Sequence, residues 1–396
     1  MKSLTTSNWM IQARVWKTKQ MIVWSEISPH GSYKNKNIMA KKITLKSVKK
    51  MNELWDKYTD IGYTDEFKEE REKAHNEYLE YKKENYDFCT EIEDEAVMEL
   101  LKNKSDIHLP SVEKISLIAL KLIGSTDLHE ITFNGLKTLT DDQVEALSGL
   151  CGKSRGWRNR HLCFASLESL PSSFYTTFGG SNFKIGGDLK LNGIKELTEG
   201  EQKALAKFKF ATLELDSLEN ISPVGFKQFK GILSFGALKE ISPKLVEGMK
   251  SWKMGGIKLR NLKKIDLEFA KAIAVRTDEP YITVGHDGRE GRDKYGNWTA
   301  DTEPYGPELP LDSMTELMKG RYCRISFNGV TNLTTEVAAV INKNPTMIDL
   351  QQLVTANMNP DAFKALSAKI DAKYCQSMYC KDVYIERLTG EVKKAL

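Results

Sequence analysis

Eleven times along this chain a short apolar frame returns, and no other feature limits the possible folds as much. It places apolar residues at positions a-x-b-x-x-c-x-x-d, followed at once by a position e. Ile107, Leu109, Val112, Ile115 and Ser116 fill it first; Ile131, Phe133, Leu136, Leu139 and Thr140 fill it next. Further copies begin at Leu162, Leu189, Leu213, Leu233, Ile257, Ile282, Ile325, Ile348 and Val383. A recurrence of this kind is the signature of a repeat protein, whose units cannot bury an apolar face alone and must stack. A chain of 396 residues also exceeds one ordinary compact core, which agrees with an array.

The frame dictates local structure. Positions a and b alternate with polar residues, so each copy opens with a short strand that turns one face inward. Positions c and d carry the chain round a turn. Position e is Ser116, Thr140, Thr198, Ser222, Ser242, Asp266, Asp312 or Thr334 in eight copies, residues whose side chains accept from the free N–H groups of a helix start. Thr140 with Gln143 and Thr198 with Glu201 predict capping boxes. Pro223 and Pro243 stand where a missing N–H costs nothing. Each unit is therefore expected to read strand, turn, short helix. Asn134-Gly135, Asn192-Gly193 and Asn328-Gly329 fall where strand becomes turn, and the pair predicts positive φ there.

Outside the frame the text changes. Residues 1–38 hold six basic groups against the single acid Glu26, which leaves the rest of the chain close to neutral despite a formal net charge of +4. They lack helical periodicity, and Met39 is expected to be the true start, with 1–38 an untranslated or disordered leader. Residues 39–90 are charged, aromatic and helical in period, with Ala74, Tyr78 and Tyr81 on one face, and predict a helical hairpin that acts as an N-terminal cap. Residues 91–370 hold the array, broken by an insertion at 285–310, and 371–396 are expected to form a C-terminal cap.

From these residues the chain resembles leucine-rich repeats over roughly 90–390. Position c is Leu, Ile or Val where typical members carry Asn. "IHLPSVEKIS" and "LENISPVGFKQF" are similar to the treponemal (BspA-like) variant, and "LKLNGIKELTEGEQKAL" to irregular bacterial repeats. The resemblance implies an α/β leucine-rich-repeat-like solenoid and a non-enzymatic role in protein–protein recognition.

Three stretches are candidates for function. The strand positions that face away from the core carry Lys190, Glu214, Asp216, Lys258, Arg260 and Asp349, charges that alternate along the stack and suit a protein partner. The insertion adds Tyr295 and Trp298, aromatic anchors amid glycines and carboxylates, without the spacing of an EF-hand loop. As the alternative, Lys153, Arg155, Trp157, Arg158 and Arg160 form a basic loop at 151–161 able to stack on a base and neutralise phosphates. No phosphate-cradling glycine loop, nucleophile elbow or paired-histidine zinc motif occurs, so no enzyme, cofactor or metal is expected. Six dispersed cysteines without a C-x-x-C pair point to reduced thiols and a cytoplasmic setting.

Overall fold

The computed structural model describes residues 42–61, 65–102, 105–151, 161–179, 187–285, 307–327, 333–343, 348–349 and 362. Strand β1 (Lys42–Ile43) leads into helix α1 (Leu45–Asp60), which packs against α2 (Lys68–Lys82). Strand β2 (Glu91–Ile92) pairs in parallel with β1, and α3 (Asp94–Leu101) follows it and packs on α1. Helices α1 and α2 thus pack on each other, and the segment after α2 reaches the strands that follow. Val48, Met51 and Leu54 bury the inner face of α1, Trp55 meets Tyr78 at 5.1 Å, and the Tyr86 hydroxyl donates to the His108 carbonyl at 2.6 Å.

A ten-stranded sheet then runs strictly in chain order, every pair parallel: β3 (Asp106–His108), β4 (Glu130–Thr132), β5 (His161–Cys163), β6 (Asp188–Lys190), β7 (Thr212–Glu214), β8 (Ile232–Phe235), β9 (Gly256–Leu259), β10 (Tyr281–Val284), β11 (Arg324–Phe327) and β12 (Ile348–Asp349). Parallel neighbours need a crossover, and here a helix usually supplies it. These are α4 (Leu117–Ser125), α5 (Asp141–Leu147), α6 (Ser172–Gly179), α7 (Glu199–Leu205), α8 (Pro243–Met249), α9 (Leu267–Ala274), α10 (Leu311–Leu317) and α11 (Thr335–Lys343). Among the described residues the fold is an open, parallel α/β sheet whose order follows the chain.

The registers align the frame. Ile107 pairs with Ile131, Ile131 with Leu162, Leu162 with Leu189, Leu189 with Leu213, and Leu213 with Leu233. Leu233, Ile257, Ile282, Ile325 and Ile348 continue the row. From Ile107 to Ile325 these side chains are at most 2% exposed, a continuous apolar ladder. One core cluster reaches from Ile43 through this ladder to Ala362 and takes in the helices' apolar faces. Phenylalanines thicken it: Phe133 stacks on Phe164 at 5.6 Å, and Phe174 lies between Phe164 and Phe208.

Caps follow position e closely. Thr140 and Thr198 form the expected capping boxes on α5 and α7, Ser116 accepts from the Ala119 N–H, Ser242 from that of Leu245 ahead of Pro243, and Thr334 from that of Val337. Asp266 holds the cap position of α9 without a side-chain hydrogen bond. Two expectations are corrected. Asp312 lies inside the first turn of α10, whose cap is Pro310. After Ser222 the chain makes turns at 223–228 in place of a helix, although Phe226 and Phe229 are fully buried as the pattern required.

The Asn-Gly pairs needed a different explanation. Gly135 and Gly193 do not have positive φ; among the described glycines only Gly285 does, at 88°. A Cβ on Gly135 would stand 2.4 Å from the Ser111 carbonyl carbon, and one on Gly193 would stand 2.6 Å from the Leu167 oxygen. Glycine is required because each turn nests against the backbone of the turn before it.

Buried polar groups tie units together. Arg276 donates to the carbonyls of Met249, Trp252 and Met254 and pairs with Asp278, so one guanidinium satisfies the carbonyl end of the preceding unit. Gln202 donates to the Leu197 and Asn220 carbonyls and accepts from the Ser222 N–H. The insertion's far end is also fixed, since Glu308 bridges Lys264 and Leu309 is buried. Residues 286–306 and 371–396 lie outside the described residues.

Gly135→Ala should lower stability by about 1–3 kcal/mol, because backbone must move to admit the methyl group. Gly200→Ala, in open space on α7, should raise it by about 0.5–1 kcal/mol. Urea denaturation of the two variants measures both signs.

Candidate functional site: the polar face of the sheet

Opposite the apolar ladder, each strand offers one side chain before and one after the buried a residue, since successive side chains alternate. Register makes two columns. The first runs Asp106, Glu130, His161, Asp188, Thr212; the second runs His108, Thr132, Cys163, Lys190, Glu214, Ser234, Lys258, Thr283, Ser326, Asp349. A third set follows position b and includes Asn134, Asn192, Asp216 and Arg260.

Four of the expected site residues come together at the centre of this face. Arg260 reaches back two strands, pairing with Asp216 and lying 3.6 Å from Glu214, while Lys190 approaches Glu214 at 3.2 Å from the other side. Ser234 donates to Asp216 at 2.9 Å, and the Asp216 N–H donates to Asn192 at 3.3 Å. Burial pushes the Asp216 carboxyl up against the pull of Arg260. Burial also disfavours the Lys190 ammonium, but Glu214 outweighs it and holds that group above its ordinary value.

This arrangement corrects the sequence reading in one respect. Glu214 is only 4% exposed, and the Asp216 and Arg260 side chains are largely covered, so they are not free docking charges. Two cations and two carboxylates cancel within the sheet. Lys258 sits between Ser234 and Thr283 and forms no ion pair among the described residues, so its charge remains available. Asp349 pairs with Ser326 along the backbone, at the far end from β3. Tyr295 and Trp298, and the basic loop residues Lys153, Arg155, Trp157, Arg158 and Arg160, lie outside the described residues.

Sequence reasoning missed a second constellation, at the β3–β6 end. His161 Nδ1 lies 3.1 Å from Asp188 Oδ2, His129 Nδ1 3.6 Å from Asp106, and His108 Nδ1 3.9 Å from Glu130. The His129 and His161 rings meet edge-on at 5.1 Å. The Asp188 hydrogen bond raises the His161 pKa, with burial opposing it. Asp188 itself is held below the usual carboxylate range: burial raises it, but hydrogen bonds from His161 and Thr212 prevail. His108, His129 and His161 are 21 and 32 residues apart along the chain, roughly one repeat each. The repeat period itself was the signal that could have joined them.

Cys163 donates to Asn134 at 3.0 Å, and burial pushes its thiol up to about 12, which makes it a poor nucleophile. Among the described residues no group of three or more His, Cys, Asp or Glu is placed to hold a metal ion, and no helix is long and apolar enough to cross a membrane. No known protein-family model matches the chain, and no curated protein matches it at significant similarity.

Removing the guanidinium with Arg260→Met leaves Glu214 and Asp216 facing each other under cover and should cost about 3 kcal/mol. Lys258→Met on the neighbouring strand should stay within about 0.5 kcal/mol of wild type. Chemical denaturation compares the two.

Proposed function

We propose that this chain is a leucine-rich-repeat-like solenoid that works as a non-enzymatic recognition module. It binds a protein partner through the polar face of its sheet and through the 285–310 insertion with its Tyr295 and Trp298. The observation that carries this reading is the uneven charge of that face. The central cluster neutralises itself, whereas Lys258 on β9 is partly exposed and forms no ion pair among the described residues. A neutral middle with an available charge to one side favours one orientation of a complementary chain.

Size agrees with this use. Ten strands about 4.8 Å apart span roughly 40 Å, long enough for an interface of about 800 Å² per partner.

The reading is tested by affinity capture from the native source with wild type, Lys258→Glu and Tyr295→Ala/Trp298→Ala. A protein held by wild type should bind each variant at least about tenfold more weakly while thermal unfolding stays unchanged. Equal capture by all three would contradict the proposal. So would retention of nuclease-sensitive nucleic acid in place of a protein, which would move recognition to the basic 151–161 loop.

A further inference from the structure

Strands β8 to β11 carry no acidic residue at any position. On the polar face of this stretch, Ser234, Lys258, Thr283 and Ser326 stand side by side in register. Lys258 is partly exposed and has neither an ion pair nor a side-chain hydrogen bond among the described residues. The carboxylates of the neighbouring cluster, Glu214 and Asp216, are already held by Lys190 and Arg260. Thr283, the register partner of Lys258 on β10, is only 7% exposed, yet its hydroxyl finds no hydrogen-bond partner among the described residues. Buried hydroxyls are normally bonded, so this one stands out. Neighbouring strands lie about 4.8 Å apart, which puts the unpaired ammonium and the unused hydroxyl within reach of a single group.

Chemistry narrows what that group can be. An ammonium offers three donors and no acceptor, and a hydroxyl can donate once. A carboxylate answers both, with one negative charge and two accepting oxygens. A cation is repelled by Lys258, and a neutral amide leaves its charge unmet. A phosphate monoester brings nearly two negative charges against one available cation. We propose that the β9–β10 stretch of the polar face anchors a glutamate or aspartate side chain from an acidic segment of the protein partner. Lys258 takes the charge, and the Thr283 hydroxyl donates to one carboxylate oxygen. The inference rests on the reading of the polar face as a recognition surface, and it adds the partner's chemistry.

The flanking residues agree with this role. Ser234, beside Lys258 on β8, is committed to Asp216 and does not compete for the ammonium. Ser326, beside Thr283 on β11, supplies a further hydroxyl. Hydrogen bonds to an ionised acceptor are the strong kind, and under cover they are weakened least by water.

The probe is a fluorescent peptide of about twelve residues alternating glutamate with serine, titrated by anisotropy at neutral pH and low, constant ionic strength, because exposed charges are screened by salt. Wild type should bind it, and Lys258→Met should bind it about tenfold more weakly. Thr283→Val keeps the shape and removes only the hydroxyl. It should weaken binding several-fold while thermal unfolding stays at or above that of wild type, since the folded protein loses no hydrogen bond. That second readout separates a binding role from a structural one. Lys121→Met, at an exposed position on α4, should bind the peptide unchanged. A lysine–serine peptide of the same length should bind Lys258→Met no more weakly than wild type.

Failure of wild type to bind the glutamate peptide, equal binding by Lys258→Met or by Thr283→Val, or lowered stability of Thr283→Val would each overturn the proposal. So would an oligothymidylate of about twelve nucleotides held through Lys258 more tightly than the peptide, which would make the ligand a nucleic acid. The two readings fail separately. A native partner that wild type captures and Tyr295→Ala/Trp298→Ala loses, together with a glutamate peptide that wild type ignores, would leave the recognition surface standing and remove its acidic anchor.

Discussion

The structure depends on alignment of one apolar row. A single unit contributes a strand of two to four residues and at most a short helix, and neither buries enough surface to offset the entropy of ordering it. When Ile131 lies between Ile107 and Leu162, each side chain shields the next, and the cost is shared along the stack. A slip of one residue would turn every a position outward, so register and burial enforce each other. Gly135 and Gly193 belong to the same constraint. Units can approach closely enough for strands to pair only if the turns nest, and the turns nest only where no Cβ intervenes.

Because the row is fixed, so is the opposite face. Side chains with no role in folding are held at strand spacing, and their chemistry is decided by which neighbours the register supplies. Glu214 and Asp216 would be costly under cover if alone; Arg260 and Lys190 make them tolerable.

Much of this was legible in the chain. The frame located every strand of the large sheet, and position e located most helix caps, because both depend on short-range spacing. What stayed hidden depends on contacts across units. Arg276 is an unremarkable arginine until its guanidinium is found on carbonyls 22 to 27 residues upstream. Gln202 bridges two turns that share no motif. The helix expected after Ser222 failed because that unit is the shortest, with only 20 residues from Leu213 to Leu233, and its chain returns through turns. The Asn-Gly pairs were noticed for the right reason, a backbone demand, but the demand was closeness rather than handedness. His108, His129 and His161 belong to no short motif, and only the repeat period brings them side by side.

The claim that the units stand by nearest-neighbour support is tested most directly by hydrogen–deuterium exchange on Leu213→Ala, a truncation at mid-ladder worth about 3 kcal/mol. The account expects amides of β6 and β8 to lose protection together with those of β7, with the effect fading towards β3 and β11. If β7 alone opens while β6 and β8 exchange as in wild type, the units are held independently and the central role of the ladder is wrong.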